Sequence, residues 1–359
     1  MTQIQGYFNK RAEGDQHERS IFAGIDGETS DTILPDLPSF LEAAGRDYGI
    51  LRTPALVRDP FGGVDENGEI SETVREVENQ FHLTRTSDGR VVSPHTVTGQ
   101  YAPLTLLDIA AEIQPWCDDG WVTPDAVYSG KNESLEILCL RMDASGALPN
   151  GEDWEHYIVF RNPHGSGGKA KGSIVSYRAQ CSNTFGSLGR GVEFVIGHRI
   201  SAKMTDDQRS EQMAERVKQA KAAWRTAEGY ISELAVRVNR WEGATLSFAE
   251  AATLTNGLLG IPKGADIDDP KEVSKRKAKT RAAILEAFSM PQYGTNGATV
   301  YDWLNGVTFV QSSPHAATVK ASKVSPVDRM IRNVLPTESG YKLEATAEKM
   351  ADAFIRGIR

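Results

Sequence analysis

"WEHYIVFRNPHGSGGKAKGSIVSYRAQ", residues 154–180, is the stretch on which the fold turns. An apolar run from Trp154 to Phe160 ends in Arg161 and Asn162, and a second, Ile174 to Tyr177, ends in Arg178. The glycines and lysines between them cannot continue either run, so the segment reads as two strands joined by a flexible basic loop. If the strands pair, Arg161 and Arg178 flank one loop carrying Lys169 and Lys171. The chain continues as "CSNTFGSLGRG", where Ser182, Asn183 and Thr184 are all good helix N-caps, which predicts a helix start just after the strand.

Working outward, "WVTPDAVYSG" and "SLEILCLRM" add two strand-like runs upstream. "NQFHLTRTSDGRVVS" alternates across a turn at Ser87-Asp88-Gly89 and predicts a hairpin. "APLTLLDIAAEIQPW" places apolar residues at 106, 107, 110 and 113, the spacing of an amphipathic helix. Residues 1–60, with prolines and acids around one short helical segment, read as an acidic N-terminal arm. The core follows at 61–204.

A different periodicity begins near 205. Met213, Val217, Ala220, Trp224, Ala227, Ile231, Leu234, Val238 and Trp241 alternate steps of four and three. That heptad seam predicts one helix of about 35 residues. It could join two subunits or fold back on "SFAEAATLTNGLLG" and "VSKRKAKTRAAILEAF" as a hairpin within 205–290. Residues 291–359 hold helices in "NGATVYDWLNGVTFVQ" and "YKLEATAEKMADAFIRGI". The fold class expected is α+β: an antiparallel sheet of four to six strands with a packed helix, then a long helical hairpin and C-terminal helices.

Composition narrows function. No apolar run reaches the roughly 20 residues of a bilayer span, and "MTQIQGYFNKRAEGDQ" lacks a signal-peptide core, so a cytoplasmic protein with no membrane partner is expected. Three scattered cysteines and no clustered histidines argue against disulfides and metal, and no cofactor is expected. The net charge of -8 hides an asymmetry. Residues 1–155 hold 11 Lys+Arg against 28 Asp+Glu, whereas residues 156–225 hold 12 against 5, balances of -17 and +7. A local excess of that size attracts polyanions whatever the whole chain carries, although it also suits a solvated face.

Three chemistries compete for residues 160–200. A phosphate loop of the G-x-x-x-x-G-K-[ST] type fails, because Pro163 stands at the first glycine and Ala170 follows Lys169. Nucleophilic catalysis by Cys181 would need a base, and only His198 follows nearby; a buried, inert thiol is the plainer reading. The third is an anion site. Arg161, Lys169, Lys171, Arg178, Arg190 and Arg199 would contact phosphates, and Asn183 and Thr184 would cap the turn beside them. Tyr177 and Phe185 would stack on bases or support the core. No catalytic residue is assigned, and the chain reads as a binding protein more readily than as an enzyme.

At these residues the sequence resembles the phage/plasmid-like protein family carrying domain of unknown function 932. The resemblance rests on Arg178, Cys181, Asn183 and Thr184, on Asn162, His164, Gly165 and Ser166 in "RNPHGSGG", and on "VTGQYAPL", "FVIGHRIS" and "GATVYDWLNGVTFV". It spans roughly residues 80–315, with "DASGALPNGEDWEH" as an insertion. It implies a mobile-element setting, and an outline similar to phage single-strand annealing recombinases, which assemble as rings or filaments. Together with the charge, this gives the main expectation: sequence-independent binding of single-stranded DNA, with strand annealing in phage or plasmid recombination by a homo-oligomer. The rivals are a host-protein partner held by the acidic front, as an anti-defence protein or DNA mimic, and a Cys181-dependent enzyme.

Overall fold

The computed structural model describes residues 5–11, 27–59, 73–93, 95–129, 134–143, 146–147, 153–165, 168–178, 183–185, 194–201, 203–224, 227–290, 297–312 and 339–357. The strands are β1 (Gln5–Phe8), β2 (Gly27–Thr29), β3 (Ile50–Asp59), β4 (Thr73–Arg85), β5 (Val97–Thr98), β6 (Val122–Ser129) and β7 (Leu135–Met142). They continue with β8 (Gly146–Ala147), β9 (Asp153–Pro163), β10 (Lys169–Arg178), β11 (Asn183–Phe185) and β12 (Phe194–Gly197). The helices are α1 (Leu37–Ala43), α2 (Leu106–Asp118), α3 (Asp206–Trp224), α4 (Ala227–Gly243), α5 (Phe248–Leu258), α6 (Lys275–Phe288), α7 (Val300–Ser312) and α8 (Ser339–Ile355). The class is α+β, as the sequence predicts.

The sheet is larger than the four to six strands expected. Nine strands run in the order β11-β10-β9-β7-β6-β1-β2, with β12 beside β11 on β10 and β8 on β9. Every pair is antiparallel except β1 with β2. The surplus comes from strands of two to four residues, too short to show a period of two. The described residues of the expected N-terminal arm, 5–11 and 27–59, are instead part of the two sheets and the first core. β1 pairs with β6, Phe8 is buried, and Leu37, Phe40 and Leu41 of α1 are wholly enclosed. β3, β4 and β5 form a separate three-stranded sheet.

The central strands are buried on both faces, which is why β7 and β9 read as continuous apolar runs. Leu138, Leu140, Ile158, Phe160, Ala170 and Ile174 face the first core, under α1, α2 and α3. Helix α2 starts at Thr105, whose hydroxyl accepts from the Asp108 amide at 3.1 Å while the Asp108 carboxylate takes the Thr105 amide at 2.7 Å. Its Leu106, Ile109, Ala110 and Ile113 then lie on the sheet.

The heptad seam is not one interface. It runs through two helices, α3 and α4, with residues 225–226 outside the described set. Met213 and Val217 close the first core, against α2 and β12. Leu234, Val238 and Trp241 belong to a second core and pack chiefly on α7 and α8, not on α5 and α6. The period fixes which side of a helix is apolar, not what meets it. Helix α7 runs through the second core, with Tyr301, Trp303, Leu304 and Val307 all buried. A Cβ at Gly306 would stand 2.9 Å from the Ile284 carbonyl oxygen, so this glycine lets α7 lie close on α6. Trp154 of β9 belongs to this core, and β11 touches α7, so the helical layer abuts one end of the β9–β10 hairpin.

Candidate nucleic-acid interface

The β9–β10 pairing expected from the opening stretch is present, but its register separates the two arginines. Lys171 stands opposite Arg161, and Arg178 opposite Trp154. Arg161 therefore lies at the loop end, while Arg178 lies seven residues along β10, about 24 Å away at roughly 3.4 Å per residue. The pleat places positions 161, 171 and 169 on one face and position 178 on the other. Arg178 thus sits at the end that meets the helices and does not join Arg161 beside the loop.

Residues 183–185 correct a second expectation. They form a strand, with Arg178↔Asn183, Tyr177↔Thr184 and Ser176↔Phe185 as partners, so Asn183 and Thr184 do not cap a helix. The free edge of β10 at Ser176–Arg178 accepts this short return strand, and a backbone amide bonded in a ladder is not open to an anion. The helix-terminus anion site disappears with it. Cys181 and Arg190 lie outside the described residues, as do the side chains of Tyr177, Arg178, Asn183, Thr184 and Phe185.

What the structure does bring together is a basic rim at the loop end. Strand β12 pairs with the start of β10, Lys169 opposite Gly197 and Lys171 opposite Val195. The chain runs on extended past Gly197: Tyr101 and Arg199 form a bridge, and the Ile200 amide donates to the Gln100 carbonyl at 2.8 Å. Burial alternates along this stretch, with Ile196, His198 and Ile200 inside and Val195 and Arg199 exposed. Arg161, Lys171, Lys169 and Arg199 thus share one face of three adjacent strands. Lys169 and Arg199 are exposed, and Arg161 and Lys171 half-buried. Across a pair the Cα atoms lie about 5 Å apart, so the four cations fall within a short strip.

Below the rim, a buried polar knot fixes the root of the loop. The Tyr48 hydroxyl donates to Glu136 Oε1, and His164 Nε2 lies 2.8 Å from Glu136 Oε2. The Asn162 amide donates to the Leu104 carbonyl at 2.7 Å, and the His164 amide to the Ser134 carbonyl at 2.8 Å. Burial alone would raise the Glu136 carboxyl, but His164, Tyr48 and Arg46 outweigh it and hold the group below the ordinary carboxylate range. His198 stacks on Tyr101 at 4.9 Å and faces the Ala102 carbonyl; burial lowers its pKa to about 4, so it is neutral at pH 7 and is not a phosphate ligand. Two glycines shape the turn above. Gly165 has φ +133, and a Cβ on Gly168 would meet Pro163 Cγ at 2.6 Å.

Sequence reading missed Glu136, although a lone carboxylate inside the apolar run "SLEILCLRM" signals a paired buried acid. It also missed Arg11, which bonds Asp125 at 3.0 Å, Glu155 at 2.9 Å and the Tyr157 hydroxyl at 2.7 Å. Nothing in the local sequence at Arg11 marks it.

Among the described residues no group of three His, Cys, Asp or Glu side chains could hold a metal ion, and no helix is long and apolar enough to cross a membrane. No family model, curated protein or solved structure matches this chain.

Proposed function

We propose that this protein binds single-stranded DNA without sequence preference, in the cytoplasm, along the basic rim formed by Arg161, Lys171, Lys169 and Arg199. The observation that carries the reading is the placement of these four cations on one face at the free end of the β9–β10 hairpin. Guanidinium and ammonium groups in a row contact backbone phosphates, which position a strand but carry no base information. Annealing of complementary strands on a phage or plasmid is the biological setting suggested by the family resemblance described above.

Four phosphate contacts on a single strand give a log–log salt slope of about -2.8. Fluorescence anisotropy with a labelled oligo-dT, titrated from low to moderate salt, measures this slope directly. Lys169→Glu with Arg199→Glu removes two of the four contacts and is expected to bring the slope to about -1.4. A wild-type protein that fails to bind at low salt, or whose affinity ignores salt, sinks the proposal.

A further inference from the structure

A second group of exposed cations lies away from the rim, on α6 in the helical layer. Residues 275–283, "KRKAKTRAA", carry Lys275, Arg276, Lys277, Lys279 and Arg281 and no acid. Helical spacing sorts the five. Lys277 and Arg281 fall on the side of Ile284 and Phe288 and are used inside the fold. Lys277 Nζ donates to the Gly260 carbonyl at 2.9 Å and Arg281 Nε to Asn256 Oδ1 at 2.7 Å, both near the end of α5. Lys275, Arg276 and Lys279 fall on the other side, three and four residues apart, and all three are exposed. Among the described residues none of these three forms an ion pair.

Local energetics oppose this outer group. A helix N-terminus carries partial positive charge, which favours acids and disfavours cations in the first turn. Lys275 and Arg276 directly follow the cap, Ser274, and the first turn holds no acid. Like charges three and four residues apart repel one another as well. Three of the four acids in the preceding loop are turned onto its own backbone: Asp266, Asp269 and Glu272 accept the amides of Asp268, Lys271 and Asp266 at 3.0, 2.9 and 2.8 Å. A cluster that its own helix resists is suited to an external anion.

Shape and composition select which anion. No residue from Lys275 to Ala283 is buried, and burial begins at Ile284, so more than two turns of α6 stand clear of the core. A helix is about 10–12 Å across with its side chains, and the major groove of B-DNA, about 12 Å wide, admits one. Residues 259–287 hold no aromatic side chain, so an unpaired base has nothing to stack on here, whereas the bases of a duplex already stack on one another. No large apolar side chain is exposed over the same residues, which removes the anchor that a lipid surface would need.

We infer that the outer face of α6, through Lys275, Arg276 and Lys279, holds the phosphates of double-stranded DNA on a surface distinct from the rim. Helix α6 packs on α5 and α7, and α7 meets β11 at the end of the β9–β10 hairpin remote from the loop, so the two basic surfaces are separate. The inference does not rest on the rim reading: a chain whose rim bound nothing could still hold a duplex here.

The test is fluorescence anisotropy of the full chain with a labelled blunt DNA duplex and, separately, with labelled oligo-dT, each titrated over salt. Three phosphate contacts on a duplex give a log–log slope of about -2.7. Lys275→Glu with Arg276→Glu should weaken duplex binding about tenfold or more, flatten the slope to about -0.9 and leave oligo-dT binding unchanged. The same variant puts acids in the first turn, so its urea midpoint should equal or exceed that of wild type. Lys169→Glu with Arg199→Glu should leave duplex binding as it is. A wild type that ignores the duplex at low salt overturns the inference, as does duplex binding that survives the α6 variant or is lost with the rim variant instead. A lowered urea midpoint in the α6 variant makes these cations structural partners and overturns it too. Retention on phosphatidylserine vesicles in place of the duplex assigns the face to a membrane, with the same consequence.

Discussion

One face of β9 carries charge in two settings. Near its start, Glu155 and Tyr157 close around Arg11, which also holds Asp125; the Arg11 and Asp125 side chains are each 3% exposed. Four residues beyond Tyr157, Arg161 stands at the rim, beside the exposed Lys169 and Arg199. The first set is enclosed and paired, so its charges answer to one another. The second opens to solvent, where an ammonium stays hydrated and is free to exchange water for a phosphate or a carboxylate. The same residue types therefore hold the fold together at one end of a strand and present a surface at the other, and burial decides which.

The sharpest way to break this comparison is at Arg11. Removing one member of a buried ion pair strands its partners in a low dielectric, typically at a cost of about 3–5 kcal/mol. Arg11→Met is expected to lower stability by that amount in urea unfolding. Adding Asp125→Leu should recover part of the loss, since the abandoned carboxylate goes too. A single variant within about 1 kcal/mol of wild type would show that this cluster is as solvated as the rim, and the distinction would fall.

Histidines sharpen the same contrast through pH. His156, whose Nδ1 lies 2.8 Å from Ser176 Oγ, and His198 are both buried, and burial lowers each to a pKa of about 4. A depressed histidine pKa means that the unfolded chain takes up protons before the folded one does. Above pH 6.5 neither state is charged and there is no penalty. Between pH 6.5 and about 4 stability falls as pH falls, and the combined slope for two groups is about 2.7 kcal/mol per pH unit. Below about 4 both states are protonated and this contribution levels off. Glu136, held below the ordinary carboxylate range, adds its own loss in acid. Urea midpoints at pH 7.5 and pH 5 should differ by roughly 4 kcal/mol of stability, and His156→Gln should reduce that difference. A stability that is flat over this interval would place the imidazoles in contact with water.

Local chemistry made much of the fold legible. Thr105 and Ser247 announce α2 and α5, each through a capping box, and the runs around β6, β7, β9 and β10 all became strands. Register was not legible. A period of two assigns Arg161 and Arg178 to strands but says nothing about which end of the hairpin each occupies, and the basic cluster seen in sequence consequently split. Asn183 and Thr184 suit a helix cap as well as a short return strand, and only the free edge of β10 chooses between them. The seam from Met213 to Trp241 marks an apolar side without naming two separate cores. Of the candidate site, Arg161, Lys169 and Lys171 held together because they are close in sequence at the loop, whereas Arg199 joins them only through the pairing of β12 with β10, which no local pattern announces.

The smallest expected effect on stability belongs to the rim itself, and it makes the contrast quantitative. Lys169 and Arg199 are exposed, and among the described residues neither side chain forms an ion pair. Surface substitutions of this kind usually change stability by no more than about 0.5 kcal/mol. Lys169→Glu with Arg199→Glu should therefore unfold at the wild-type urea midpoint, even though it reverses half of the basic strip. Had these cations been latent structural partners, each reversal would set an acid against an acid and the midpoint would drop, as it does for Arg11. An unchanged midpoint together with lost oligonucleotide binding would mean that the charges at positions 169 and 199 serve what the surface touches, because the fold itself is indifferent to the sign of the charge there.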